Sequence, residues 1–150
     1  MRSRIPLAIF IIAAVGIGLL IGWLTAPGEW YAGLQKPWFN PPNWLFGPVW
    51  TLLYILIAIA GWRTWLDVPR GRAMTLWWVQ LALNFAWSPV FFALQAPWAA
   101  LAVILLLLAT ILGFITISRE RDVVAAWLFI PYAAWVAFAT LLNASIVWLN

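Results

Sequence analysis

The chain has 150 residues, of which 67% are hydrophobic, 8% are charged and 14 are tryptophan. A soluble domain carries about a quarter charged residues, so most of this surface must face lipid rather than water. There is no Cys and no His, which excludes disulfides, thiol catalysis and zinc or haem ligation through those side chains. The net charge of +4 is spread over loop ends and makes no basic patch interleaved with exposed aromatics, so no nucleic-acid partner is expected. Neither a cofactor nor a metal is expected.

Five segments are apolar enough to span a bilayer at about 20 residues per helix. They cover roughly 5–25, 44–65, 74–94, 98–118 and 123–148. The expected fold is therefore an all-α, five-helix membrane bundle forming a single integral domain over 1–150. The first segment follows Arg2 and Arg4. Its apolar run exceeds that of a signal peptide and no small-residue cleavage site follows, so it reads as a retained helix. Ala14, Gly18 and Gly22 lie four residues apart on it, a small-residue face that serves either the bundle or a dimer.

The stretch WYAGLQKPWFNPPNWLFGPVW at 30–50 follows, with four tryptophans and four prolines in 21 residues. Proline fixes φ and restricts the residue before it, so the 26–43 connection is stiff. A long, stiff, aromatic connection across a bundle is a candidate lid. Its end begins the second segment, where Trp50 and Tyr54 lie one turn apart, as a cavity wall or as part of an interfacial belt. The 66–73 turn, LDVPRGRA, is an ordinary polar connector.

The third segment carries one polar stripe: Gln80, Asn84, Trp87, Ser88 and Phe91. Polar groups at membrane depth face the bundle interior or a cavity, here either as interhelical glue or as a ligand wall. Pro89 is expected to break this helix. The 95–98 turn is so short that the third and fourth segments must be antiparallel neighbours. The fourth segment, ALAVILLLLATILGFIT, is featureless and either faces lipid or scaffolds the others. After the RERD turn at 119–122, the fifth bears Pro131 and the stripe Tyr132, Trp135, Ala139, Leu142 and Asn143. Ala139 among aromatics leaves room for a neighbouring helix or for a flat ligand.

Arg2, Arg4, Arg63, Arg70, Arg72, Arg119 and Arg121 fall on one side of a five-span layout and only Lys36 on the other. By the positive-inside rule the N-terminus is cytoplasmic, with the 26–43 segment and the C-terminus outward. No acid or base lies mid-membrane, which disfavours proton-coupled pumping, and no nucleophile–base pair is present for hydrolysis. What remains is a tryptophan-lined apolar cavity with a few neutral polar groups, suited to a large, flat, hydrophobic molecule.

The 30–50 stretch, LALNFAWSPVFF at 81–92 and PYAAWVAFATLLN at 131–143 resemble the signature blocks of the translocator protein or tryptophan-rich sensory protein family (TspO/MBR). The likeness extends over essentially the whole chain. It implies a five-helix bundle in the membrane, a bacterial inner membrane for a bacterial-type member, whose pocket opens beneath the first loop and which forms homodimers. It implies binding of porphyrins such as protoporphyrin IX and, in some members, of sterols and drug-like ligands. The matching pocket positions are Trp50, Asn84, Trp87, Trp135 and Ala139, to which the stripes add Tyr54, Ser88, Phe91 and Leu142. The matching lid positions are Trp30, Tyr31, Pro37, Trp38, Pro41 and Pro42, joined by Lys36 as the outward cation. The tail LLNASIVWLN has Ala144 where animal members place an aromatic, and no basic residue follows, which counts against tight sterol binding.

Three functions follow from these expectations. One is a sensor or receptor that binds tetrapyrroles, with Lys36 meeting a propionate at the mouth unless it snorkels to headgroups or pairs with Glu29. Another is a light-driven porphyrin-degrading enzyme using Trp135 first and Trp50 second. The third is a passive translocator of tetrapyrroles or sterols.

Overall fold

A computed structural model describes residues 4–150, and Arg2 lies outside it. Among the described residues the chain is all-helical, with no strand. Helix α1 runs Arg4–Leu24, and a short α2, Glu29–Ala32, sits in the first connection. A 3-10 turn at Asn43–Leu45 leads into α3, Phe46–Asp67. Helix α4, Arg72–Ser88, continues as a π turn over Pro89–Ala93. Helices α5, Pro97–Ser118, α6, Val123–Leu128, and α7, Ile130–Leu149, complete the chain. Four helical stretches, Arg4–Leu24, Asn43–Asp67, Pro97–Ser118 and Val123–Leu149, are long and apolar enough to cross a membrane.

Two prolines shape the helices differently from the expectation. Pro89 widens α4 instead of ending it: Leu94 N–H donates to Pro89 O at 2.9 Å, an i→i−5 bond in place of the ladder that proline interrupts. The widened turn brings Phe91 into the interior, where it is 2% exposed. Pro131 has the opposite effect. The segment expected to be continuous over 123–148 divides at Phe129 into α6 and α7, because a proline ring opposes the carbonyl four residues earlier. The 26–43 connection, expected to be a stiff loop, contains α2. At Gln95 the chain turns with φ at 52°, the left-handed conformation that commonly follows a helix, and α5 returns antiparallel along α4.

Helix α5 is the central scaffold. It packs on both α4 and α7 and buries Ala100, Ile104, Leu107, Ile111, Phe114 and Ser118 at helical spacing. Helix α1 lies at the periphery and packs mainly on α3. There Ala14 and Gly18 are buried, and any Cβ at Gly18 would overlap the Tyr54 ring, so this part of the small-residue face serves the bundle. Gly61 on α3 plays the same part for α4: the Trp77 indole fills the space a Cβ would take and donates to Ile57 O at 2.9 Å. A second cluster of Tyr31, Phe91, Ala100 and Ile146 fastens α2 to the π turn.

At the opposite end from α2, Arg63 donates to Asp122 through Nε at 2.8 Å and Nη2 at 3.0 Å. Asp122 also caps α6, accepting from the backbone of Val124 and Ala125. The Arg63 bond, aided by these amides, holds the Asp122 carboxyl below the usual carboxylate range despite partial burial. Arg121 pairs with Asp67 at 2.9 Å, so two ion pairs tie the end of α3 to the α5–α6 turn.

Gly61→Ala should therefore destabilise the bundle by about 1–3 kcal/mol through overpacking against Trp77, read as a fall in melting temperature in detergent. A second expectation concerns acid. With its folded pKa depressed, Asp122 contributes its full stabilisation above the ordinary carboxylate pKa and loses it as pH falls through the lowered value. Asp122→Asn keeps the cap acceptor but should flatten the acid limb of melting temperature against pH.

Candidate functional site

A cavity of about 500 Å³ opens inside the end of the bundle that carries α2. Five parts of the chain build it. Helix α1 contributes Gly18, Leu19, Ile21, Gly22 and Trp23, and the connection after it contributes Thr25, Pro27, Tyr31 and Asn40. Asn43, Phe46, Gly47, Trp50 and Tyr54 come from the start of α3 and the turn before it. Asn84, Trp87 and Ser88 on α4 and Phe91 and Phe92 on the π turn form a third wall. Ala139, Leu142, Asn143 and Ile146 on α7 form the fourth. Among the described residues no charged side chain lines this cavity.

Its polar floor is a chain of neutral hydrogen bonds. Tyr54 O–H donates to Asn84 Oδ1 at 2.8 Å, Asn84 Nδ2 donates to the Tyr132 hydroxyl at 2.7 Å, and Tyr132 O–H donates to Gln80 Oε1 at 2.8 Å. Each link leaves the next donor in place, so the chain runs in one direction from the cavity into the core. Such chains polarise one another in a low-dielectric interior. Gln80 Nε2, at the far end, is buried with no partner among the described residues. A second pair fixes the aromatic wall: Trp87 Nε1 donates to Asn143 Oδ1 at 3.0 Å, and Asn143 Nδ2 donates to Pro97 O at 2.8 Å. At the rim Thr25 Oγ1 donates to Ile21 O at 2.7 Å and lies 2.5 Å from Ser88 Oγ.

Aromatic rings supply the remaining surface. Trp50 lies 5.5 Å from Tyr54 and 6.3 Å edge-on from Tyr132, centroid to centroid. Trp87 lies 5.2 Å from Phe91. Tyr31 is buried over the cavity and meets Phe92 at 5.3 Å and Phe91 at 6.2 Å. Burial pushes the Tyr31 phenol above its ordinary pKa, only partly countered by its long 3.5 Å bond to Asn40 Oδ1.

Nine of the residues expected from the helix stripes converge here: Trp50, Tyr54, Asn84, Trp87, Ser88, Phe91, Ala139, Leu142 and Asn143. Trp135 does not line the cavity. Its ring packs against Phe46 at 5.8 Å and Phe138 at 5.7 Å, and its buried Nε1 has no partner among the described residues. Position 135 shares a face with Ala139 to within 40° on an ideal helix, but its long side chain leans away onto its neighbours.

Among the residues expected in the lid, Tyr31 alone lines the cavity. Trp30 packs on Phe91 at 5.9 Å. Pro41 stands outside the lining, and Pro42 precedes the 3-10 turn. Lys36, Pro37 and Trp38 instead line a separate open groove with Ala144, Ser145, Trp148 and Leu149. Lys36 Nζ donates to Ala32 O and Leu34 O, both at 3.3 Å, and lies 4.5 Å over the Tyr31 ring. It has no carboxylate partner among the described residues, so it neither enters the cavity nor pairs with Glu29.

Sequence reasoning did not assign the α1 wall to the site, because its glycines read as packing residues. Asn143 belonged to the α7 stripe, and its role as the acceptor for Trp87 follows only from the fold. Asn40 gave no signal at all. Among the described residues no three His, Cys, Asp or Glu side chains converge as metal ligands.

Residues 8–149 match the model of the TspO/MBR family. The chain is 43% identical over 145 residues to the tryptophan-rich protein TspO of Archaeoglobus fulgidus, covering 93% of this chain and 94% of that one. It is 38% identical to the tryptophan-rich sensory protein of Cereibacter sphaeroides, over 93% of this chain and 88% of the relative. It is 40% identical to the human translocator protein, over 87% and 82% of the two chains. The match over nearly the whole chain, with membrane-length apolar helices and abundant tryptophan, shows that this membrane protein belongs to the TspO/MBR family.

Proposed function

We propose that the protein is a membrane receptor that binds porphyrins, such as protoporphyrin IX, and similar flat hydrophobes in the cavity beneath the 26–43 connection. The observation that carries this reading is the cavity itself: about 500 Å³, aromatic on several sides and free of charge. Trp50 and Trp87 offer ring faces, each aromatic contact contributing about 0.5–1.5 kcal/mol beyond burial. Ala139 gives clearance, and Tyr54 and Asn84 supply neutral polar contacts. Propionates of such a ligand belong at the mouth, because no cation lines the interior to receive them. Relatives named sensory protein and translocator protein support a sensing or translocating role in general terms.

This reading has five crossings. The fifth, third in chain order, is α4 with its π turn, 72–93. The arginine asymmetry supports a cytoplasmic N-terminus and an outward 26–43 connection, in a membrane read as a bacterial inner membrane. The working unit is a homodimer.

One observation favours light-dependent porphyrin breakdown as a second reading. Trp50 lines the cavity, so a photoexcited porphyrin bound there has an oxidisable indole beside it, with dioxygen as the terminal oxidant. Trp135, packed on Phe46 and Phe138, is the more remote donor.

Titration of the detergent-solubilised protein with protoporphyrin IX in darkness should quench tryptophan fluorescence saturably. Ala139→Leu, which fills the clearance, should weaken binding by about tenfold or more, ~1.4 kcal/mol; an unchanged dissociation constant defeats this cavity as the site. Under illumination Trp50→Phe should slow bleaching of the bound porphyrin more than Trp135→Phe does. Absence of bleaching in the unmodified protein leaves the receptor reading alone.

A further inference from the structure

We infer that the cavity exchanges its contents with the bilayer through a lateral slot between α1 and α3, held open by Gly22 and Gly47. The inference builds on the ligand-binding reading of the cavity, but its geometry stands separately. The seam between α1 and α3 is closed at Ala14, 1% exposed, and at Gly18, where Tyr54 occupies the place of any Cβ. Gly22 lies one turn further along the same helical face. There the contact has gone: Gly22 is exposed, and a Cβ would meet nothing within 4 Å. Gly47, in the first turn of α3, is likewise exposed with nothing within 4 Å of a Cβ. Both glycines line the cavity. Leu19 and Trp23 flank them on α1, 39% and 76% exposed while also lining the cavity. The seam thus opens directly from the cavity toward lipid, and backbone without side chains forms its edges.

The side covered by the 26–43 connection is fastened. Tyr31 is 6% exposed between Phe91 and Phe92, with Lys36 Nζ 4.5 Å above its ring. Further along, Gln35 N–H donates to Asn150 Oδ1 at 3.0 Å and Asn150 Nδ2 donates back to Gln35 O at 2.9 Å. Entry past α2 would unseat a buried tyrosine, and the reciprocal pair ties the same connection to the end of α7. Entry through the slot displaces only lipid, and no charged group lines the way. The ligands admitted are hydrophobes already dissolved in the bilayer, passing edge-first if they are flat.

The chain has no Cys, so a single Ala139→Cys thiol reports on access to the cavity. In lipid nanodiscs it is alkylated either with a lipid-dissolved N-alkyl maleimide or with a water-soluble sulfonated maleimide. The lipid-dissolved reagent should react faster. Gly22→Val and Gly47→Val should each slow it by about tenfold, with Gly22→Ala intermediate. Gly16→Val provides the matched control, since Gly16 is exposed on α1, has nothing within 4 Å of a Cβ and lies off the cavity; it should leave the rate unchanged. Asn150→Ala, which loosens the other side, should not accelerate the sulfonated reagent. Rates indifferent to Gly22 and Gly47, faster sulfonated labelling in Asn150→Ala, or a thiol reached by neither reagent would each overturn the slot. Labelling that follows the slot pattern in a protein that protoporphyrin does not quench supports the slot and removes only the ligand assignment.

Discussion

Asn84 is the residue on which the interior turns. A polar group at membrane depth cannot fall back on water, so each donor left without a partner costs about 1–3 kcal/mol. Asn84 spends its oxygen on Tyr54 and one amide proton on Tyr132. One side chain on α4 therefore fixes side chains from α3 and α7, and it is 5% exposed at the cavity floor. The aromatic walls inherit their positions from it, since Tyr54 seats Trp50 on one side and Gly18 of α1 on another. Trp87 is held separately by Asn143, so the third and fourth walls do not depend on the same amide.

The use of small residues follows from the same scarcity of polar contacts. Lipid tails are as apolar as leucine, so helices in a membrane associate through close packing rather than through exclusion of water. Gly18 against Tyr54 and Gly61 against Trp77 are two instances in which a missing side chain receives an aromatic ring. Trp77 then satisfies its indole on the Ile57 carbonyl of α3. The tryptophans thus divide into distinct roles. Trp77 is a packed core residue, Trp50 and Trp87 are cavity walls, and Trp38 and Trp148, 94% and 88% exposed, occupy an outer groove.

Much of this was legible in the sequence, because period-3.6 stripes survive in a helical membrane protein. The spacing of Gln80, Asn84, Trp87, Ser88 and Phe91 put one face of α4 inward, and four of the five line the cavity. Two kinds of feature were hidden. The π turn at Pro89 and the division at Phe129 come from competition between a proline and the surrounding packing, which periodicity does not register. The direction of a long side chain was also hidden: Trp135 and Ala139 share a face, yet only Ala139 reaches the cavity. The 26–43 connection showed the same limit. Its prolines announced stiffness, but Lys36 turned out to lie over the Tyr31 ring and outside the cavity.

Lys36 marks a division of labour in the site. A cation inside a cavity closed off from water would lose most of its hydration, a cost of several kcal/mol unless an anion repays it. The structure avoids that cost by keeping the ammonium behind Tyr31, on two backbone carbonyls and a ring face. In the proposed receptor, recognition is then left to shape and to the Tyr54–Asn84 floor. A cavity without charge also lowers the electrostatic barrier to loading from lipid, its polar lining being confined to neutral side chains. On the proposed reading, the absence of charge in the cavity and the openness of the seam at Gly22 both suit a ligand that arrives from the membrane.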